Sequence, residues 1–139
     1  MIRYFLPLLF LGAGFSFFVA RLLFLRKIIE VNLYNTYYIL SKKKLATYSI
    51  GAMLFLALIY ELFSLFNKPL NTNLGIIHFL ITTLGILLAM SAPIFDSVPG
   101  DYKKTRQNRE YLTKFCLVAL LIFCLGQTVI FFNIAWTFF

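Results

Sequence analysis

Two ionisable side chains and two amides have the greatest capacity for chemistry in this sequence, because all four lie within long apolar runs. They are Glu61, His78, Gln127 and Asn133. Placing such a side chain in hydrocarbon is costly, so a residue of this kind inside a membrane span is a candidate functional residue. A carboxylate and an imidazole that share a low-dielectric site can relay protons near neutral pH or hold a polar head group such as a quinone.

Spacing along the chain places three of these residues at one depth. Glu61 lies five residues before the end of one apolar run, His78 four residues after the start of the next, and Asn133 six residues before Phe139. At 1.5 Å of rise per helical residue, Glu61 and His78 both lie roughly 6–8 Å below the same surface. We therefore expect Glu61, His78 and Asn133 to form one polar cluster.

Hydrogen bonding between helices is the second explanation of this cluster, and the sequence favours it. At this depth water and lipid head groups are within a turn or two, so the carboxylate can stay hydrated. Gln127, in the middle of the last run, is interpreted in the same way. No catalytic residue, metal site or cofactor is predicted, since His78 is the only histidine and the two cysteines, eight residues apart, match neither a disulfide nor a metal-binding spacing.

The composition is that of a membrane protein. Of the 139 residues, 61% are hydrophobic and 13% are charged, whereas a soluble domain carries about 25% charged residues. Four apolar runs are each long enough to cross a hydrocarbon core of about 30 Å as a helix. We predict an all-α fold, a single transmembrane domain of four helices in a bundle, with spans Tyr4–Leu25, Leu45–Phe66, Leu74–Phe95 and Phe115–Phe139.

Lysine and arginine are unevenly distributed between the two sides of these spans. Eleven of the 13 lie in or beside the loops 26–44 and 96–114, and two lie on the other side. Because basic residues favour cytoplasmic loops, we predict that both of these loops face the cytoplasm and that both termini lie outside. The predicted location is a bacterial inner membrane, with the mitochondrial inner membrane as the alternative.

The segments that join the spans differ in pattern. Residues 67–73 (NKPLNTN) are rich in turn formers and predict a tight connection that makes the second and third spans antiparallel neighbours. In loop 26–44 apolar residues recur at helical spacing, which predicts an amphipathic helix at the membrane surface.

Two further sets of residues are candidates for contacts with other molecules. Small residues four positions apart let helices approach closely, and basic residues near a membrane attract anionic lipid by about 1 kcal/mol per charge. The predicted packing stripes are Gly12, Ser16 and Ala20 in the first span and Gly85 and Ala89 in the third. The predicted lipid contacts are Lys42, Lys43, Lys44, Lys103, Lys104 and Arg106.

These features predict a small accessory or assembly subunit of a larger membrane-protein complex that acts through helix packing and not through catalysis. The expected partners are other membrane proteins and bound phospholipid, anionic on the cytoplasmic side. Nucleic acid is not expected as a partner, because the loops are too short to form a binding module. The alternative is a small oligomeric transporter or channel that uses Glu61, His78 and Gln127, and a membrane enzyme acting on a lipid or quinone is the third function considered.

Overall fold

Four long helices and a two-stranded hairpin make up the described part of the chain. The computed structural model describes the backbone of residues 5–23, 28–33, 36–91 and 102–138, and the side chains of residues 5–23, 42–91 and 110–138. In chain order the elements are α1 (Phe5–Leu23), β1 (Ile28–Leu33), β2 (Thr36–Ser41), α2 (Lys42–Leu65), α3 (Thr72–Ser91) and α4 (Tyr102–Phe138).

The four helices correspond to the four predicted spans. Each is long and apolar enough to cross a membrane, and in α4 the stretch that qualifies lies within Glu110–Phe138. α4 begins at Tyr102 and contains both the predicted span from Phe115 and the basic segment ahead of it. The charged segment ahead of the span is helical too, because it is rich in Lys, Arg, Gln and Glu, which are good helix formers.

Residues 28–33 and 36–41, between α1 and α2, are the two strands of a β-hairpin, so the predicted amphipathic helix is wrong for these residues, whereas residues 42–44 belong to α2. β1 and β2 pair antiparallel, from Ile28 opposite Ser41 to Leu33 opposite Thr36. The apolar residues here fit a helical spacing, but β-branched and aromatic residues dominate the segment, and these residues favour strands. The hairpin also contacts the helices, with β1 against α4 and β2 against α2.

The helices pack mainly in two pairs. α1 packs along α2 and α3 packs along α4, whereas α3 makes fewer contacts with α1 and α2. The sequence predicts α2 and α3 as neighbours, and they do touch, but each makes most of its contacts with another helix. Buried apolar side chains from all four helices form one cluster, which includes Phe10, Met53, Leu56, Ile86 and Ile130.

A short turn joins α2 to α3, as the turn formers in residues 67–73 predict. Asn67 has a positive φ of 56°, a conformation that ends many helices. The N–H of Asn67 donates to the carbonyl of Ser64 and the N–H of Lys68 to that of Phe63, both at 3.1 Å. These bonds satisfy carbonyls that the end of α2 would otherwise leave unpaired.

We refer to the side of the molecule that carries this turn as the turn end, and to the opposite side, where α2 begins and α3 ends, as the basic end.

Candidate functional site

Tyr60 and His78 form a buried polar pair between α2 and α3. The hydroxyl of Tyr60 and Nδ1 of His78 are 3.0 Å apart, and the two side chains are 4% and 0% exposed. Their rings are nearly parallel, with centroids 5.9 Å apart. Phe10 of α1 stacks on Tyr60 at 5.3 Å between centroids and lies beside His78 at 5.4 Å. Side chains from three helices therefore meet at this pair.

The second ring nitrogen of His78, Nε2, has no hydrogen-bond partner among the described residues. A neutral imidazole has one donor and one acceptor nitrogen, so the bond to Tyr60 satisfies one of them and leaves the other unpaired. Gln127 lies near the imidazole, but its amide nitrogen donates to the hydroxyl of Thr82 at 3.2 Å. His78 can therefore make one further hydrogen bond.

Asn133 joins α4 to the residue that precedes α3. The N–H of Asn71 donates to Oδ1 of Asn133 at 2.8 Å, and Nδ2 of Asn133 donates to the carbonyl of Asn71 at 3.0 Å. Asn71 also caps α3, since its own Oδ1 accepts from the N–H groups of Asn73 and Leu74 at 3.0 and 3.3 Å. The fully buried Asn133 thus fixes the turn end of α4 to the start of α3.

Glu61 takes no part in the polar contacts that join Tyr60 to His78 and Asn133 to Asn71. Its side chain is half-buried, and it makes no hydrogen bond or ion pair with any residue that the structure describes. The predicted depth is the right one, because the neighbouring residue Tyr60 bonds His78. Successive helical residues point about 100° apart, so Tyr60 and not Glu61 occupies the face of α2 that meets α3.

A cleft of about 390 Å³ opens at the turn end. Its lining includes Leu6 and Pro7 of α1, Tyr60 and Ser64 of α2, and residues 69–73. Tyr60 lines the cleft and bonds His78, so this residue contacts both the cleft and the buried imidazole.

Two glycines bring α3 and α4 into close contact. A Cβ atom at Gly85 would lie 2.7 Å from the backbone nitrogen of Phe123, and one at Gly126 would lie 3.1 Å from that of Thr82. Gly85 lies at a helix contact, as the small-residue pattern predicts. Gly126 lies outside the predicted stripes, because the residues four positions away on either side, Ile122 and Ile130, are not small.

Two of the three residues of the predicted stripe on α1 face away from the other helices, and the third, Ala20, packs against the core cluster. Gly12 and Ser16 are exposed, Ala20 is half-buried, and a Cβ atom at Gly12 would meet nothing within 4 Å. The face that packs on α2 is a different one and includes Gly14, where a Cβ atom would lie 3.5 Å from Cβ of Met53. Gly12 and Ser16 therefore do not form a contact between helices of this chain.

The lysines at the start of α2 have different surroundings. Lys42 is 6% exposed, and its Nζ donates to the carbonyl of Met90 at 2.8 Å. A positive charge is favourable there, because the last carbonyls of α3 carry partial negative charge. Lys42 therefore differs from its prediction as a surface lipid contact, whereas Lys43 and Lys44 are exposed. Three predicted lipid contacts have side chains outside the described residues: Lys103, Lys104 and Arg106.

Within the part of the chain that the structure describes, no group of three or more His, Cys, Asp or Glu side chains is placed to hold a metal ion. Comparison with protein-family models, with curated proteins and with solved structures finds no match for this chain. A functional assignment therefore depends on the geometry of the chain itself.

Proposed function

We propose that the chain is a small accessory or assembly subunit of a larger membrane-protein complex and acts through helix packing and not through catalysis. The observation that carries this proposal is the uncovered face of α1, where Gly12 and Ser16 are exposed and no other described part of the chain lies within 4 Å of a Cβ atom at Gly12. Small residues on a membrane helix let a second helix approach closely. A helix of another membrane protein is the proposed occupant of this face.

The hydrogen bonds between helices support a structural role for the polar side chains. Asn133 bonds the backbone that starts α3, Tyr60 bonds His78, and Gln127 bonds Thr82. These bonds lie in the turn half of the molecule or near its middle, and the buried side chains nearer the basic end are mainly apolar. Among the described residues, this distribution favours holding helices together over conducting ions.

The proposal includes the orientation of the four helices in the membrane. The bias of Lys and Arg towards the basic end favours a four-helix bundle with that end in the cytoplasm and both termini outside. The proposed location is a bacterial inner membrane, and a mitochondrial inner-membrane protein made inside the organelle would have the same pattern. Lys43→Cys and Arg106→Cys, each made without the native cysteines, should resist an impermeant thiol reagent added to intact cells. Labelling of both would mean that the orientation is reversed.

Native mass spectrometry of mild detergent extracts tests the proposed role. The tagged chain, expressed at its natural level in the cells that make it, should be recovered with a different membrane protein at fixed stoichiometry. A homo-oligomer alone would support transport instead. An isolated monomer that retains its fold would count against both functions.

The second candidate function is a small oligomeric transporter or channel that uses Glu61, His78 and Gln127. The unpaired Nε2 of His78 favours it, because this atom can bond a substrate or exchange a proton. The cleft that Tyr60 lines gives this site an approach from the turn end.

Proton flux into liposomes that contain the purified chain, followed with an enclosed pH-sensitive dye, tests this candidate. Transport through this site predicts a flux that His78→Gln and Glu61→Gln each abolish, with oligomer size unchanged. If the chain produces no flux, or if both variants conduct as the original chain does, the three residues do not form a proton path.

A further inference from the structure

An apolar groove opens between α2 and the α3–α4 pair, near the basic end. Its volume is about 400 Å³. α2 contributes Leu45, Ser49 and Ala52 to its lining, α3 contributes Ala89, and α4 contributes Cys116. Because several of these side chains are small, the helices leave this space unfilled.

The dimensions of the groove favour a lipid chain as its occupant. The lining runs from Leu45 to Ala52 on α2 and from Cys116 to Phe123 on α4, which is about 10 Å of helical rise on each. One leaflet contributes about half of a 30 Å hydrocarbon core, so the groove fits within a single leaflet.

The basic end of the groove carries positive charge. Lys44 lies one helical turn before the lining residue Tyr48, on the same side of α2. Its exposed side chain is long enough to reach the level of the lipid phosphates while its methylene groups stay against apolar surface. The ammonium of Lys42 lies within electrostatic reach of Cys116, so a second positive charge is present near the inner wall of the groove.

We propose that this groove binds one acyl chain of an anionic phospholipid, and that Lys44 binds the phosphate of the same lipid. The apolar walls of the groove provide affinity for the acyl chain, and Lys44 provides the preference for a negatively charged head group. This site lies on a different face from the small-residue stripe of α1, and it does not depend on the protein with which the chain assembles.

Native mass spectrometry of the purified full chain, titrated with phosphatidylglycerol or phosphatidylcholine that carry identical acyl chains, tests the site. The first phosphatidylglycerol should bind about fivefold more tightly than the first phosphatidylcholine, which is the factor expected for one lysine near the surface. Lys44→Gln should remove this preference for phosphatidylglycerol, while binding of the acyl chain in the groove should remain.

Filling the groove gives the complementary test. Ala52→Leu should weaken binding of both lipids, because the larger side chain occupies the groove. The matched control is Gly51→Leu, since Gly51 is exposed, lies outside the lining, and has nothing within 4 Å of its Cβ position. Circular dichroism checks that each variant folds.

Three results would overturn the proposal. The first is equal binding of the two lipids to the original chain, and the second is a lipid preference that Lys44→Gln leaves unchanged, a test that holds even if Ala52→Leu fails to fold. The third is a dimer or a complex with another protein that Ala52→Leu dissociates and that excess lipid does not, because the occupant would then be a helix.

Discussion

The hydrogen bond between Tyr60 and His78 joins two helices that make few other contacts with each other. Nε2 of His78 is already unpaired among the described residues, so loss of the tyrosine hydroxyl would leave both ring nitrogens without a partner. An unpaired buried polar atom costs about 1–3 kcal/mol in general. The pair should therefore contribute to stability even if His78 has no role in transport.

Tyr60→Phe tests this contribution, because it removes the hydroxyl and keeps the ring that stacks on Phe10. We expect a loss of about 0.5–2 kcal/mol of stability, measured as a lower unfolding temperature in detergent by circular dichroism. Glu61→Gln is the matched control on the next residue and should cost about 0.5 kcal/mol or less. Equal losses in the two variants would show that the Tyr60 hydroxyl makes no special contribution.

The level of each polar side chain along its helix could be predicted from the sequence. The direction in which each side chain points could not. Residue numbers alone give the level of each side chain along its helix, and the bond from α2 to His78 occurs at the level expected. Direction depends on how each helix is rotated, and one position of error turns a side chain by about 100°. The bonds between Asn133 and Asn71 could not be predicted at all, because Asn71 offers its backbone and every residue but proline has the same backbone groups.

The glycines show how differently one residue type acts on different helix faces. Gly85 lies where α3 meets α4, whereas Gly51 of α2 has nothing within 4 Å of its Cβ position. Alanine stabilises an exposed helix position by up to about 1 kcal/mol relative to glycine. At a close helix contact the added methyl group forces the backbones apart, which costs about 1–3 kcal/mol.

Gly85→Ala and Gly51→Ala should therefore change stability in opposite directions. The first should lower the unfolding temperature in detergent, and the second should leave it unchanged or raise it slightly. If Gly85→Ala is as stable as Gly51→Ala, then α3 and α4 are not in close contact at this position.

Among the elements, the four spans were predictable and the hairpin was not. A long apolar run allows only one structure in a bilayer, because every backbone group must be paired within the helix. The segment before α2 has apolar residues at spacings compatible with a helix, and its strands also depend on contacts with α4, which lies far away in sequence. Such tertiary contacts routinely outweigh local pattern.

In the described parts of the four spans, most residues are not buried against another helix. In the most apolar stretch of each span only 17–33% of the residues are buried, and large side chains such as Phe15, Phe55 and Phe132 are 62–73% exposed. Lipid or other proteins must cover this surface. In our proposals an anionic lipid occupies the groove near the basic end, and a protein partner covers the small-residue face of α1.

The proposed accessory role depends most directly on that face of α1, and a pair of variants tests it. Gly12→Leu places a large side chain on the exposed stripe, and Gly51→Leu adds the same side chain to an exposed position on α2. The measurement is the amount of the protein partner that co-purifies with each tagged variant, relative to the amount of the chain itself. We predict that Gly12→Leu lowers recovery of the partner about tenfold, equivalent to 1.4 kcal/mol, while Gly51→Leu retains it. Equal recovery with both variants would contradict the proposed docking face.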